Sequence, residues 1–242
     1  MINFTPLASS SQGNCYLLSS PGVDPILIDA GVRFAEIQKA LDFKVGSLAG
    51  CLVSHAHGDH SVAVKDLLRH YVDCYASAYT WEHLGLQLGP RRFVEHLEPV
   101  QVGVWQVTPF DAVHDMPGTL GFVIDGMTAR CLYLTDSAYC KYRFEDLTHI
   151  FIECNHSAEI MRENARSGDI GNDRYKRTAT NHMSIERLVA MLKANDLSKV
   201  VEIHLLHLSD ANSDEVAFKE TVMRATGKPV HVAPAHQTRQ LT

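Results

Sequence analysis

Hydrophobic positions along the chain fall into short blocks that are separated by polar segments or by glycine and proline. Such short blocks are typical of strands rather than helices. The stretch 101–113 alternates apolar and polar residues and predicts a strand or a hairpin, and Asp125-Gly126 is a hairpin turn signal. The small polar segment 8–14 is predicted to be a loop. The predicted strands span residues 3–7, 15–18, 26–28, 48–53, 74–76, 101–113, 121–124, 131–134, 150–152, 199–203 and 229–232.

Other segments place apolar residues three and four positions apart, which is the spacing of one buried helix face. Ser184 is the predicted N-cap of one such helix. Residues 157–181 are polar and rich in arginine and lysine, and we interpret them as a basic insertion near the functional site. The predicted helices span residues 34–43, 59–71, 81–88, 185–192 and 214–225.

The order of these elements predicts the fold class. Two strand-rich halves follow each other with helices between their strands, and no repeat or low-complexity linker separates them. A chain of 242 residues can form one large α/β domain with a substantial core. We therefore expect a single domain over residues 1–242, built as a four-layer αββα sandwich.

Composition and charge narrow the possible partners. The formal net charge is −6 with histidine neutral, so general attraction to nucleic acid is not evident, although bound cations or a local basic patch would supply it. No apolar run approaches the roughly 20 residues of a membrane span, and the first residues lack a signal-peptide pattern. No membrane partner is therefore expected. The six cysteines are scattered without a CxxC pair, which predicts reduced thiols and a cytoplasmic protein. A homodimer is compatible with the sequence.

One stretch concentrates potential metal ligands. The apolar run 51–53 leads into His55-Ala56-His57-Gly58-Asp59-His60, so three imidazoles and a carboxylate lie within six residues. Such crowding is favourable only around a shared positive charge, and these donors suit Zn²⁺ and also Mn²⁺ or Fe. Because strand ends converge on one rim of a sheet, side chains at other strand ends are expected to join the motif. The residues at or just past the ends of other apolar blocks are His114, Asp136, His156 and His207.

With this motif, His114, Asp136 and His207, the chain resembles the metallo-β-lactamase fold superfamily over nearly its whole length. Within that superfamily it is most similar to the YycJ (WalJ) type of exonuclease. The other segments that match this type are residues 9–14, 27–31, 113–115, 135–137, 153–156, 182–184 and 207–212.

The resemblance implies two divalent metal ions, with Zn²⁺ as the expected metal and Mn²⁺ or Fe as alternatives. Two ions roughly 3.5–4 Å apart can hold a hydroxide between them, and we expect that hydroxide to attack phosphorus. The implied ligands are His55, His57 and His114 for one ion, Asp59, His60 and His207 for the other, and Asp136 as a bridge.

Further residues are candidates for catalysis beside Asp59. His182 is expected to protonate the leaving oxygen or to hydrogen-bond a phosphoryl oxygen. His156 either shares that role or holds a metal ligand through a hydrogen bond. Glu153 either orients a ligand histidine or pairs with an arginine, and Asp29 is expected to fix the tautomer of a ligand histidine.

Substrate contacts are expected from two polar segments. One is the predicted loop after the first strand, whose residues either touch substrate or only shape a tight turn. The other is the basic segment, which either contacts phosphates or is a solvated loop of mixed charge. The expected contacts are Ser11, Asn14, Arg174, Lys176, Arg177 and His182.

The predicted function is a metal-dependent hydrolase. By resemblance it is a phosphodiesterase or nuclease, and in particular a 5′→3′ DNA exonuclease that uses the metal-bridging hydroxide. The same hydroxide would serve a hydrolase of a small carbonyl compound such as a lactone or thioester, although no separate helical substrate domain follows the core. A tRNA-processing or cyclic-nucleotide phosphodiesterase is an alternative within the first class.

Overall fold

The computed structural model describes residues 2–241 and has an α/β fold. Its strands are β1 (Ile2–Ser10), β2 (Gly13–Ser20), β3 (Val23–Ile28), β4 (Gly50–Leu52), β5 (Cys74–Ala76), β6 (Arg91–Phe93), β7 (Val100–Val102), β8 (Trp105–Asp111), β9 (Leu120–Gly126), β10 (Ala129–Leu134), β11 (His149–Glu153), β12 (Glu202–Leu206), β13 (Val230–Val232) and β14 (Arg239–Leu241).

Helices fill most of the connections between these strands. They are α1 (Phe34–Ala40), α2 (Gly58–Ser61), α3 (Val64–Arg69), α4 (Ala78–Leu84), α5 (Ala158–Ser167), α6 (Asn172–Asn181), α7 (Ile185–Ala194) and α8 (Glu215–Thr226), with a 3₁₀ turn at Val45–Ser47. Among residues 2–241, no helix is both long enough and apolar enough to cross a bilayer.

The strands form two mixed seven-stranded sheets with flanking helices. The first has the order β14-β1-β2-β3-β4-β5-β6, and the second has the order β13-β12-β11-β10-β9-β8-β7. Strands β3 to β6 are parallel, as are β10 to β13, whereas β1, β2 and β14 pair antiparallel and so do β7, β8 and β9. The expected α/β class, with two strand-rich halves and helices outside them, is confirmed.

The chain divides into two compact units. The first covers the residues up to Asp111, Met116–Ala129 and the chain from Pro234 onward, and the second covers Ala112–Asp115 and Arg130–Ala233. In the first unit, α1, α3 and α4 bury Ile37, Leu67 and Trp81 in a core with the strand residues Leu27 and Cys51.

The second unit has its own apolar interior. Its parallel strands bury side chains such as Leu132, Ile152 and Leu205, and α7 buries Leu188 and Leu192. A parallel strand that is covered on both faces is largely apolar, which is why the segments of β10 and β11 lack alternation in the sequence.

Several element boundaries differ from the prediction, and two of the differences concern hairpins. The predicted loop 8–14 is wrong, because the pairs Ser9↔Asn14 and Ser10↔Gly13 extend the β1–β2 ladder and leave only residues 11–12 as the turn. Asp125-Gly126 belongs to β9, and the turn lies two residues later at Met127 and Thr128. Backbone pairing with a neighbour therefore outweighs the local turn preference.

The basic insertion differs most. Residues 157–181, for which no helix or strand was predicted, contain the helices α5 and α6, with Ser157 as the side-chain N-cap of α5 and left-handed Gly168 as its C-cap. Strand β12 begins at Glu202, three residues after the predicted start, so His207 directly follows it. The strands β6 and β14 were not predicted, since both are three residues long and mostly exposed.

Candidate metal centre

The ligand-rich motif directly follows β4 in the first unit, and the short helix α2 carries its last ligands, Asp59 and His60. The chain that leaves β3 lies against this helix, where Ala30 N donates to His60 O at 2.8 Å. Gly31 permits this approach, because a Cβ at that position would overlap the carbonyl group of Asp59. The backbone that follows β3 therefore packs directly against α2.

Asp29 organises a buried hydrogen-bond network around His60. The backbone N–H of Ser54 donates to Oδ1 of Asp29 at 2.7 Å, and the Ser54 hydroxyl donates to Oδ2 at 2.9 Å. Nδ1 of His60 lies 2.8 Å from the same Oδ2. Because an ionised carboxylate only accepts, Nδ1 of His60 carries the proton and Nε2 has the lone pair. The contact between Asp29 and His60 is the one that the expected role requires, and the role of Asp29 in fixing the tautomer of a ligand histidine stays a prediction.

His55 and His57 are spaced like two ligands of one ion. Nδ1 of His55 lies 3.0 Å from the Ser54 oxygen. Since that hydroxyl gives its hydrogen to Asp29, its oxygen accepts from His55, which leaves Nε2 of His55 as the ligand atom. This Nε2 lies 3.1 Å from Nδ1 of His57. Two nitrogens on one tetrahedral Zn²⁺ are roughly 3.3 Å apart when each Zn–N bond is about 2.0–2.1 Å.

Asn14 contacts the ligand atom of His60. Its Nδ2 lies 3.0 Å from His60 Nε2 and donates to Ser10 O at 3.0 Å, while the Tyr16 hydroxyl donates to Oδ1 at 2.9 Å. Asn14 is completely buried. The structure therefore places it against a ligand histidine, and its predicted contact with substrate stays a prediction.

The second unit holds further predicted ligands at its strand ends. Asp136 lies just past β10, Glu153 ends β11, His207 follows β12, and His182 is the C-cap of α6. Each of these four side chains offers one ligand atom that lies within 4.8 Å of the other three. His114 lies in the same unit, with its Nε2 3.8 Å from Oδ2 of Asp136.

Glu153 connects two of these histidines. Its Oε1 lies 2.7 Å from Nδ1 of His182 and 2.9 Å from Nδ1 of His207. Its Oε2 accepts from the backbone N–H groups of Ser137 at 3.1 Å and Met183 at 3.0 Å. Of the two predicted alternatives for Glu153, the structure favours orientation of a ligand histidine over an arginine pair.

The charges in this cluster are strongly coupled. Burial alone raises the pKa of the Glu153 carboxyl, but the charge and hydrogen bond of His182 and the hydrogen bond of His207 outweigh it and lower that pKa to about 2. Burial opposes protonation of His207, yet Asp136, whose Oδ1 lies 2.7 Å away, and Glu153 raise its pKa to about 10. Two buried carboxylates beside one imidazole require a cation, which a proton or a divalent metal ion supplies.

His114 is held in a similar way. Its Nδ1 lies 3.3 Å from the carbonyl oxygen of Asn181, which leaves Nε2 as the ligand atom. Asp115 is also close, with Oδ1 3.3 Å from that Nε2, and its Oδ2 accepts from the Asn181 amide at 2.7 Å. Arg177 on α6 completes this group, with Nε 3.6 Å from Asp115 Oδ2.

These donors fit divalent metal ions. A protein oxygen lies against Nδ1 of each of several predicted ligand rings, so that Nε2 is the atom directed away from that oxygen, which is the usual arrangement around a metal. In the second unit, Asp136, Glu153, His182 and His207 bring their ligand atoms together closely enough to hold a divalent ion. The first unit carries the ligand types of the motif, His55, His57, Asp59 and His60. The rings held in this way are His55, His60, His114 and His207.

The remaining predicted residues lie in different surroundings. His156 is 2% exposed, and its Nδ1 has no hydrogen-bond partner among residues 2–241. Burial lowers its pKa to about 4, so this ring is neutral at pH 7. Ser11 is exposed in the β1–β2 turn. The exposed cations of α6 are Arg174, Lys176 and Arg177, called the α6 cations below. The predicted catalytic or substrate-binding roles of these residues stay predictions.

Some contacts were not predicted. Ser54 bonds Asp29 and both neighbouring histidines, and the available signal was a small hydroxyl residue directly before the motif. The contacts of Asp115 were not predicted either, and the available signal was its position directly after the predicted ligand His114. The backbone N–H groups of Ser137 and Met183 left no signal, because main-chain donors are present at nearly every residue.

Comparison with known proteins agrees with this site. Residues 25–205 match the model of the β-lactamase superfamily domain. Exodeoxyribonuclease YycJ of Bacillus anthracis is 25% identical over 232 residues, which cover 89% of this chain and 86% of that protein.

Solved structures resemble the whole chain. The metallo-β-lactamase fold protein YhfI of Bacillus subtilis has a TM-score of 0.76 at 16% identity and covers 98% of both chains. Zn²⁺-bound PqqB of Methylobacterium extorquens has a TM-score of 0.71 at 13% identity, over 99% of this chain and 100% of that one. The expected metallo-β-lactamase-like fold is confirmed. With the family match over residues 25–205 and its histidine and aspartate metal-ligand groups, the chain belongs to the β-lactamase superfamily, as a metal-dependent hydrolase of the metallo-β-lactamase fold.

Proposed function

We propose that this protein is a phosphodiesterase that hydrolyses nucleic acid, and in particular removes nucleotides from the 5′ end of DNA, with two divalent metal ions. The family, the Nε2 atoms presented by the ligand rings and the name of the distant relative YycJ support this proposal. The proposed ligands are His55, His57 and His114 for one ion, Asp59, His60 and His207 for the other, and Asp136 for both.

The observation that carries the proposal is the charge of α6. This helix ends at His182, whose Nδ1 lies against Glu153, and it exposes the α6 cations over its preceding two turns. A helix rises 1.5 Å per residue, so the α6 cations lie within roughly 12 Å of His182 along the helix axis. Such an arrangement suits an extended anion such as a nucleic-acid backbone better than a neutral lactone or thioester.

His182 is the proposed general acid. Burial alone lowers the pKa of its ring, but Glu153 and Asp136 outweigh it and raise that pKa, so the ring is more often protonated at neutral pH than an ordinary histidine. Glu153 holds Nδ1, which directs the Nε2 proton away from Glu153. An imidazolium in this position can protonate the leaving oxygen of a phosphodiester or hydrogen-bond a phosphoryl oxygen.

The metal ions, when bound, would lower the pKa of a water molecule and neutralise charge on a phosphoryl oxygen. The side chain of Asp59 is 27% exposed and that of Asp136 is 4% exposed, so we assign Asp59 the contact with the attacking water. His156 is assigned a supporting position behind the site, since it is buried and neutral. Ser11 and the α6 cations are assigned contacts with the nucleic-acid backbone.

The test compares four substrates with the purified, metal-loaded protein: 5′-labelled duplex DNA, RNA of the same sequence, bis(p-nitrophenyl) phosphate and a lactone. We expect cleavage of DNA and of the small phosphodiester, with mononucleotides released from the 5′ end. A His182→Gln variant should lose rate on DNA, and the exposed His236→Gln serves as its matched control. Activity on the lactone alone would contradict the proposed function.

A further inference from the structure

A pocket of about 330 Å³ lies in the first unit, and nothing in the mechanism above uses it. It is lined by Tyr79, Glu82 and His83 of α4 and by Met116 and Pro117. Tyr79 is 63% exposed, so its ring borders the pocket without being covered by the rest of the first unit. Its ring is therefore available to a ligand.

The pocket lies on the side of the first unit that carries the ligand-rich motif. β4 and β5 are parallel neighbours, so the motif after β4 and the start of α4 after β5 leave the sheet at the same edge. Two hydrogen bonds hold the segment after His114 in place there: Ser77 Oγ donates to Gly118 O at 2.8 Å, and Leu120 N donates to Ser54 O at 2.9 Å.

Gly118 is required for this arrangement. A Cβ at that position would lie 2.7 Å from the Cβ of Tyr79, and the φ of +76° is one that other residues rarely adopt. The pocket wall therefore depends on close packing between the segment 116–118 and Tyr79.

The walls are suited to a flat and uncharged group. Tyr79 offers a ring face, Met116 and Pro117 offer apolar surface, and Glu82 offers a carboxylate. The lining contains no arginine or lysine, and its polar side chains besides Tyr79 are Glu82 and the imidazole of His83, so a phosphate would face the Glu82 carboxylate without a guanidinium or ammonium partner. In a nucleic acid, the flat uncharged group is the base, which the sugar connects to the phosphate.

We propose that this pocket binds the nucleobase beside the scissile phosphodiester, with the base stacked on Tyr79. The inference rests on the proposed function, because it names the part of the same substrate that is recognised. Every base has a π-face, so stacking tolerates any sequence. Glu82 can accept a hydrogen bond from an exocyclic amine, which favours adenine, cytosine or guanine over thymine.

The experiment uses 5′-labelled DNA in which one of the first three nucleotides is replaced by an abasic tetrahydrofuran residue. The wild-type metal-loaded enzyme is expected to lose about five- to 150-fold in kcat/KM when the abasic residue occupies one of these positions, and far less at the others. This comparison needs no variant, so it does not depend on whether a substitution folds.

The variants then connect the loss to Tyr79. Tyr79→Ala should lose the same factor on intact DNA but nothing further on the sensitive abasic DNA, whereas Tyr79→Phe should remain within about twofold of the wild type. Tyr71→Ala, which removes another exposed tyrosine of the first unit, is the matched control and should change neither substrate.

Two results overturn the inference while the proposed function stands. One is that the wild-type enzyme cleaves intact DNA and all three abasic DNAs equally well. The other is that Tyr79→Ala lowers kcat/KM by the same factor on intact DNA and on the sensitive abasic DNA. If the wild-type enzyme cleaves the lactone and none of the DNAs, the proposed function fails and the base pocket fails with it.

Discussion

Glu153 is the residue whose replacement tests the geometry of the site most directly. Its carboxylate accepts from two imidazoles and two backbone N–H groups and is completely buried. The substitution Glu153→Gln keeps the shape of the side chain and removes its charge. An amide has one acceptor oxygen, so at least one pair of the four donors would face its NH₂ group.

The expected loss of stability follows from the paired charge. The carboxyl pKa is about 2 in the folded protein, compared with an ordinary value of about 4.3. At pH 7 this difference corresponds to roughly 3 kcal/mol of folding free energy, because each unit of pKa is worth about 1.4 kcal/mol. The folded-state pKa is lowered, so this contribution is complete above about pH 4.3 and is lost as the pH falls toward 2. Donors left without a partner would bring the total to about 3–5 kcal/mol.

Urea unfolding of chelated protein at pH 7, followed by circular dichroism, measures this loss without a contribution from bound metal. The exposed Glu163→Gln in α5 is the matched control and should change stability by less than about 0.5 kcal/mol. Glu153→Gln should also move the alkaline limb of the kcat/KM profile to lower pH, because the carboxylate raises the pKa of His182. A loss below about 1 kcal/mol together with an unmoved alkaline limb would refute the reasoning.

Other side chains of the site are open to similar tests. Asp136→Ala should lose bound metal and turnover together in elemental analysis and rate assays, and retention of two ions at the normal rate would show that it is not a shared ligand. Replacing the three α6 cations with alanine should weaken DNA binding and lower the slope of log K against log[salt] by up to about 2.7, whereas unchanged binding at low salt would make them ordinary surface residues. Asn14→Ala should raise the Zn²⁺ affinity of one site about three- to tenfold in calorimetry, because the Asn14 amide no longer competes with the metal for Nε2 of His60. A lower Zn²⁺ affinity would show instead that Asn14 positions His60 for metal binding. The pKa of His207 is raised to about 10, so its contribution to the stability of chelated protein should be complete below about pH 6.5 and be lost as the pH rises toward 10. Because the contribution of Glu153 is lost below about pH 4.3, stability should be highest between these two values, and a flat profile would contradict the paired charges.

The sequence predicted the parts of this molecule that depend on local pattern. Short apolar blocks located most strands, and β5 was predicted with its observed bounds. The ligand motif and the strand-end residues His114, Asp136 and His207 were recognisable because metal ligands have few residue types and strand ends are where such residues converge.

Prediction failed where tertiary packing decides the structure. Helix α5 is polar on average and has Met161 as its one fully buried side chain, so it contains no apolar block that would mark it as an element. The position of Glu153 between His182 and His207 depends on three segments that are far apart in the chain, and no spacing rule joins them.

Local sequence rules also did not predict the backbone conformation at the site. Asp29, Asp136 and His207 have φ values of 57°, 47° and 52°, in the left-handed region that non-glycine residues seldom occupy. Each lies within two residues of the end of a strand, where continuing the extended chain would be the simplest outcome. Such conformations cost of order 1 kcal/mol and persist because other contacts hold the residue. Here the holding contacts are those of the candidate metal centre, since Asp29 accepts from Ser54 and His207 lies against two carboxylates. The sequence could therefore locate these residues, but their left-handed backbone conformation depends on the side-chain network around them. The conformations that local sequence pattern does not predict thus lie where the chemistry is proposed to occur.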